Sequence, residues 1–210
     1  APSSNPNKRQ RTSELSAAPE LPPPPLDDDN PIDAASAADG RVRQFEHVDG
    51  QYATHVYLPV RPEPRLADAL KRSCEALRKS DAAVNAISPT EYHLSLSRTV
   101  TLSRAQIDGF NDALRRALRG CPALRASVAD VLVALPNDTA TRHFAALELK
   151  AGTAAHGSLC RMIDAVDGVL ERYGLPAFYA ERRLHFSVAW SLERLPCPLP
   201  SIAASGSSGG

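Results

Sequence analysis

Two short runs of this chain alternate between polar and apolar residues: EYHLSLSRTV at positions 91–100 and LHFSVAW at 184–190. Such alternation predicts β-strands, because successive side chains of a strand point to opposite faces of the sheet. Each run contains the motif His-x-Ser, so the imidazole and the hydroxyl share one face while the apolar residues beside them face a core. If the two strands lie side by side, two histidines and two serines form one polar site on rigid elements.

The rest of the chain alternates between helical and strand patterns. Apolar residues three or four positions apart predict three helices. The second helix begins at a capping box of Ser103 and Gln106 and ends at Gly120 and Pro122. The element order predicts an α+β protein of two similar halves, each with one His-x-Ser strand. The other predicted elements are helices at 64–80 and 154–173, a strand at 52–60, and a hairpin of 125–135 with 142–149.

Composition predicts one folded domain between two tails. Residues 1–40 are rich in Pro, Ser, Ala and Asp and have too few large apolar side chains to offset the entropy of ordering, so they are predicted to be disordered. A basic cluster at 7–11, NKRQR, is a candidate nuclear localisation element, although such clusters are more often simply solvated. The domain is predicted at 41–198, and 199–210 is predicted to be a flexible C-terminal tail.

Charge and residue usage exclude several classes of protein. The chain has 210 residues, 43% of them apolar, and a formal net charge of zero, so it lacks the electrostatic footprint of a duplex binder. It contains no apolar run near the roughly 20 residues that span a bilayer and no secretory h-region. Its four cysteines form no Cys-x-x-Cys pair, so zinc ligation is unsupported, and free buried thiols in a reducing compartment are favoured over disulfides.

Other histidines and the tryptophan have plainer interpretations. A third match, His156-Gly157-Ser158, lies in a predicted helix, where residues two apart point about 200° away from each other, and is attributed to chance. His55 lies in an apolar strand and is predicted to satisfy a core hydrogen bond. Trp190 is predicted to be a core anchor that points away from His185, provided that the alternation continues past Ser187.

Four separated blocks of the chain resemble one family. They are GRVRQFEHVDGQYATHVYLPV, EYHLSLSRTVTL, NDTATRHFAALELKAG and FYAERRLHFSVAW, and together they span roughly residues 40–195. With the two His-x-Ser strands, they are similar to the U6 snRNA phosphodiesterase family (Usb1) of the 2H phosphoesterase superfamily. The resemblance implies a two-lobed, pseudo-symmetric fold in which antiparallel sheets are flanked by helices and each lobe carries one His-x-Ser strand.

The same resemblance implies a function. It is that of a nuclear 3′-to-5′ exoribonuclease, which trims the uridine-rich 3′ end of U6 snRNA and leaves a 2′,3′-cyclic phosphate or a 3′-phosphate. The expected partner is a single-stranded RNA 3′ end, with no membrane, and the protein is expected to be a monomer. One rival is a 2′,3′-cyclic nucleotide phosphodiesterase or an RNA-ligase-like enzyme with the same site. A pseudoenzyme is disfavoured, because both histidines and both serines are present.

The residues by themselves indicate the chemistry of RNA transesterification. This reaction needs a base for the 2′-hydroxyl and an acid for the departing 5′-oxygen, and imidazoles suit both roles because their usual pKa is near 6.5. Ser95 and Ser187 can donate hydrogen bonds to the phosphoryl oxygens. No carboxylate cluster or metal-ligand spacing accompanies the motifs, so neither a metal nor a cofactor is expected. The resemblance implies that His185 is the base and His93 the acid, an order that the residues alone leave open.

Tyr179, six residues before His185, matches a tyrosine of the family that contacts the RNA base. Stacking of a base on an aromatic ring contributes about 1–3 kcal/mol. Without the resemblance, core packing beside Phe178 is an equally good interpretation. Arg182 and Arg183, in the intervening AERR segment, are candidate phosphate contacts, although charged loop residues are more often solvated.

Overall fold

The computed structural model of this protein describes residues 48–202. The predicted tail at 1–40, the basic cluster at 7–11 and His47 lie outside the described residues, as do residues 203–210. The described part thus comprises nearly all of the domain predicted at 41–198.

Residues 48–202 form eight β-strands, three α-helices and one 3₁₀ turn. The helices are α1 (Pro64–Ser80), α2 (Arg104–Ala117) and α3 (Ala154–Arg172), and the 3₁₀ turn is Pro89–Glu91. The strands are β1 (Gln51–Thr54), β2 (Tyr57–Pro59), β3 (Asn85–Ala86), β4 (His93–Ser95), β5 (Val100–Ser103), β6 (Val133–Pro136), β7 (His143–Glu148) and β8 (His185–Ser191).

The helices begin and end where the sequence signals predict. The Ser103 backbone N–H donates to Gln106 Oε1 at 2.9 Å, which confirms the capping box in front of α2. Gly120, three residues past the end of α2, has a φ of +80°, a left-handed conformation that glycine adopts without steric cost. Local signals therefore fix these helix boundaries.

Two strand predictions differ from the structure. The predicted strand at 52–60 is divided at His55 and Val56 into β1 and β2, which belong to different sheets. In the predicted hairpin, the end of the 125–135 segment pairs with β7 as the short strand β6, and its earlier part is joined to the second arm only by an isolated bridge between Val128 and Leu149. Both differences arise from the partner strands, which local periodicity does not identify.

The strands form two antiparallel sheets. One is a six-stranded sheet in the order β2-β4-β8-β7-β6, with β3 also paired to β8, and the other joins β1 to β5. The two His-x-Ser strands, β4 and β8, are direct neighbours in the larger sheet. The α+β class and the side-by-side arrangement of the motif strands are confirmed, and the two halves of the chain share one sheet.

Helices cover one face of the larger sheet through two apolar cores. In the first core, Leu70 and Leu77 of α1 pack with Phe186 and Val188 of β8. In the second, α2 and α3 enclose Leu94 and the buried residues of β5. Because Leu94 and Phe186 pair with each other, both cores lie on the same face of β4 and β8, and the motif side chains lie on the other.

The C-terminal residues of the described part pack against the domain. Ile202 is buried in the first core, and its backbone N–H donates to Asp130 O at 2.9 Å. Ser201 forms an isolated antiparallel bridge with Val131. Ordered packing thus continues to residue 202. None of the helices within 48–202 has the length and apolar character to cross a bilayer.

Candidate active site

The register of β4 and β8 brings the two motifs together. Leu94 pairs with Phe186, so the residues one position to either side of them point to the uncovered face of the sheet, here called the site face. Extending the antiparallel register by one residue sets each motif histidine opposite the serine of the other motif. The two cross-strand pairs are His93 with Ser187, and Ser95 with His185.

Both motif histidines are held by the same hydrogen bond. His93 Nδ1 lies 2.8 Å from Glu91 O, and His185 Nδ1 lies 2.6 Å from Arg183 O, so each ring bonds to the carbonyl two residues before it. A carbonyl can only accept, which places the ring proton of the neutral form on Nδ1. The Nε2 atom of each ring is then the free basic nitrogen, able to take up a proton or, once protonated, to give one away.

Burial lowers the pKa of His185. Desolvation is the main cause that lowers the pKa of His185 below its usual value, and it outweighs the opposing hydrogen bond to Arg183 and the nearby charge of Glu148. Glu148 lies directly opposite His185 on β7 and forms an ion pair with Arg183 at 2.7 Å. His185 is therefore neutral, and competent as a base, at neutral pH.

A third histidine belongs to the site. His55, in the link between β1 and β2, has its Nε2 3.0 Å from Ser95 Oγ, and its ring centroid lies 5.5 Å from that of His93. Burial and the nearby His93 lower its pKa, so His55 is neutral at pH 7. The predicted core hydrogen bond is real, but its partner is a motif serine.

Sequence reasoning also missed an exposed aromatic ring. Tyr57 pairs with Ser95 across β2 and β4, so its side chain lies on the site face. Its ring centroid is 5.1 Å from that of His93, and 53% of the residue is exposed. The alternation in YATHVYLPV predicts a strand that contains Tyr57, but only the pairing of β2 with β4 shows that the Tyr57 ring lies beside His93.

Tyr179 lies in the segment before β8 and is 41% exposed. Its hydroxyl donates to Asp138 Oδ1 at 2.7 Å, and the Arg98 guanidinium lies 4.8 Å from the ring centroid. Arg98 and Asp138 form an ion pair at 3.1 Å, which completes a triangle between three segments of the chain. Tyr179 is thus held in one orientation at the surface, with Phe178 packed edge-on beside it at 5.2 Å, instead of being buried.

The candidate phosphate contacts Arg182 and Arg183 have partners within the fold. Arg182 bonds to Asp164 at 2.6 Å and lies 3.7 Å from Asp167, both on α3. Arg183 is paired with Glu148. These ion pairs anchor the segment before β8 and so help to position His185.

A β-bulge changes the predicted orientation of Trp190. Ala146 pairs with Ser187 but Ala145 pairs with Ala189, so β8 carries one extra residue, Val188. The alternation therefore does not continue past Ser187, and Trp190 points to the site face together with its partner Phe144. Trp190 is half-buried and belongs to neither apolar core, which corrects the expectation of a core anchor.

The third His-x-Ser match lies outside this arrangement, as predicted. His156 is in the first turn of α3, where its Nδ1 lies 3.7 Å from Cys160 Sγ. Ser158 accepts a hydrogen bond from Arg161 on the same helix. Within residues 48–202, no three His, Cys, Asp or Glu side chains form a group that could hold a metal ion.

The chain is similar to known proteins in sequence and in fold. The HVSL family, described as an uncharacterised conserved protein, matches residues 25–204. U6 snRNA phosphodiesterase 1 of Xenopus laevis is 30% identical over 82% of this chain and 70% of its own length. The enzyme of the same name from Danio rerio is 32% identical over 72% of this chain but only 52% of its own length.

Among solved structures, the protein TT0787 of Thermus thermophilus aligns with a TM-score of 0.52 over 71% of this chain and 79% of its own. Its 14% identity supports the shared fold alone. The chain spans only 52% to 60% of the length of several relatives. By its sequence, the chain belongs to the U6 snRNA phosphodiesterase family (Usb1).

Proposed function

We propose that this protein is a 3′-to-5′ exoribonuclease that trims the oligo(U) 3′ end of U6 snRNA. The observation that supports this most directly is the shared face of β4 and β8. There, two histidines with free Nε2 atoms lie across from two serines. The names of the relatives supply the substrate class, since each matching U6 snRNA phosphodiesterase acts on that RNA by its name.

The proposed reaction uses the RNA itself as the nucleophile. His185 Nε2 removes the proton of the penultimate 2′-hydroxyl, and that oxygen attacks the adjacent phosphorus. The bond from phosphorus to the 5′-oxygen of the last nucleotide breaks, and protonated His93 Nε2 gives its proton to the departing oxygen. The products are an RNA shortened by one residue, with a 2′,3′-cyclic phosphate, and a nucleoside with a free 5′-hydroxyl. Addition of water to the cyclic phosphate would give the 3′-phosphate.

Ser95 and Ser187 are proposed to bind the scissile phosphate. Each lies beside the opposite histidine, so both hydroxyls can donate to the nonbridging oxygens as negative charge accumulates there. Ser95 can do so only if its own proton is free, which requires that His55 Nε2 carry the ring proton and donate to Ser95 Oγ. His55 is therefore proposed as a positioning residue for Ser95.

Tyr179 is proposed to stack on a base of the RNA. Its hydroxyl and one ring face are already engaged by Asp138 and Arg98, so its orientation is fixed before RNA binds. A fixed ring loses little conformational entropy on stacking, which favours base binding.

The cellular assignments follow from the substrate. A U6 snRNA processing enzyme contributes to pre-mRNA splicing and acts in the nucleus, and both assignments are proposed here. We also propose that the protein binds a single-stranded RNA 3′ end as a monomer and requires neither a metal nor a cofactor.

A product analysis tests the proposal. Purified protein is incubated with 5′-labelled oligouridine in excess EDTA, and the shortened products are treated with phosphatase before and after acid. The expected result is stepwise shortening from the 3′ end, with termini that become phosphatase-sensitive only after acid opens a cyclic phosphate. Hydrolysis of uridine 2′,3′-cyclic phosphate without trimming of oligouridine would favour the cyclic-phosphodiesterase alternative and contradict the proposal.

A further inference from the structure

Arg142 and Trp190 form a stacked pair on the site face, beyond Ser187. The Arg142 guanidinium carbon lies 4.8 Å from the centroid of the Trp190 ring. The bulge in β8 turns Trp190 to this face, and Arg142 reaches it because residues 142, 144 and 146 follow one another on the same side of β7. Both side chains therefore lie on the face that carries His185 and Ser187.

The guanidinium of Arg142 has unused hydrogen-bonding capacity. Within residues 48–202, no carboxylate pairs with it, and its buried Nε has no hydrogen-bond partner. By contrast, Arg98, Arg182 and Arg183 are each paired with an acidic side chain. A cation on an active-site face with no internal counter-charge favours an anionic ligand, and a guanidinium matches the geometry of a phosphate.

The backbone of Arg142 is fixed in advance. Its N–H donates to Asn137 Oδ1 at 3.0 Å, and its carbonyl accepts from the Asn137 N–H at 2.9 Å. Stacking on the indole restricts the side chain as well. A pre-ordered arginine loses less entropy when it binds an anion.

The position of Arg142 and Trp190 relative to Ser187 indicates which phosphate of the RNA Arg142 would bind. Trp190 pairs with Phe144 and Ser187 with Ala146, so the two sites are two residues apart along β7, about 7 Å. That distance is on the order of one nucleotide of extended RNA. In an RNA with a 3′-hydroxyl end, every phosphate other than the scissile one lies on the retained, 5′ side. Trp190 lies on β8, the strand of the proposed base His185, which acts on the retained nucleotide, and Arg142 lies on the β7 side of that strand.

We propose that Arg142, braced by Trp190, binds the phosphate immediately 5′ of the scissile one. This subsite rests on the proposed function and extends it, because it makes the enzyme prefer RNA of three or more nucleotides. The dinucleotide UpU contains only the scissile phosphate, whereas UpUpU contains the additional one. Recognition through a phosphate and a stacked guanidinium is independent of base identity.

The test compares kcat/KM on UpU and UpUpU for the wild type, Arg142→Ala and Arg115→Ala. Arg115 is an exposed arginine of α2, paired with Asp112, and its removal lowers the total charge equally. Loss of one charge-assisted phosphate contact is expected to lower kcat/KM of Arg142→Ala on UpUpU about 10-fold, and to leave UpU within about 2-fold. Arg115→Ala should change neither. An equal loss on both substrates, or no loss on UpUpU, overturns the subsite.

Two further measurements test the subsite if Arg142→Ala is unfolded or if the wild type does not trim RNA. Should Arg142→Ala melt below the assay temperature, Arg142→Lys and Trp190→Phe replace it. Each retains part of the pair, and a selective loss on UpUpU of a few-fold is expected. Binding of UpUpU and UpU with a 2′-deoxy penultimate sugar is measured by fluorescence anisotropy, in wild type and variant. If the wild type binds but trims no RNA, the proposed function fails while this comparison still decides the subsite.

Discussion

The hydrogen bond between His55 and Ser95 can be tested with a double-mutant cycle. His55 Nε2 lies 3.0 Å from Ser95 Oγ in a partly buried position. Removing His55 leaves the hydroxyl free to rotate away from the phosphate, while the hydroxyl itself remains. A neutral hydrogen bond contributes about 0.5–1.5 kcal/mol, which corresponds to roughly a 2- to 12-fold change in rate. We therefore expect His55→Ala to lower kcat/KM on oligouridine by that factor.

The double-mutant cycle shows whether His55 acts by orienting the Ser95 hydroxyl or by supporting the fold. In a Ser95→Ala background no hydroxyl remains to be oriented, so the additional substitution His55→Ala should change kcat/KM by less than about 2-fold. The conservative variant His55→Gln keeps an amide that can donate to Ser95, and it should recover part of the lost rate. Single-turnover trimming gives the rates, and thermal melting checks that each variant is folded.

One result would refute this reasoning. If His55→Ala were equally damaging with and without the Ser95 hydroxyl, His55 would not act through Ser95. Its edge-on contact with His93, with ring centroids 5.5 Å apart, would then be the remaining route to the reaction.

The other predictions concern the reaction itself. His93→Ala and His185→Ala should each lower the single-turnover rate at least about 100-fold and leave RNA affinity largely intact. The double variant should be little worse than the worse single variant. His156→Ala, which alters the helical match, should change neither the rate nor the RNA affinity. The acid limb of the pH dependence of kcat/KM should lie below 6.5, because burial lowers the pKa of the base His185 and its neutral form persists until the pH falls through that lowered value. A limb at or above 6.5 would contradict the assignment of His185 as the base. RNA with a 2′-deoxy penultimate sugar should resist loss of its last nucleotide, whereas normal cleavage would mean that water or a protein group attacks. Trimming should persist in excess EDTA, and its loss with recovery on adding a divalent ion would contradict the two-histidine mechanism.

Local sequence patterns predict the elements that carry the motifs. Alternation with a period of two identified both His-x-Ser strands and the shared face within each, and helical periodicity separated the chance match at His156 from them. Capping signals around Ser103 and Gly120 set the ends of α2. These features depend on residues within a few positions of each other, which is why they can be predicted from the chain alone.

The surroundings of the motifs depend on contacts between residues that are far apart in the sequence. His55 reaches Ser95 across 40 positions of the chain, because β2 pairs with β4. Trp190 turns to the site face because one extra residue in β8 shifts its register against β7, and a slip of one residue reverses the face of every side chain beyond it. Arg182 and Arg183 meet carboxylates on α3 and β7 instead of solvent. Each outcome depends on which distant strand or helix becomes the neighbour, a choice made by packing of the whole domain that no local pattern encodes.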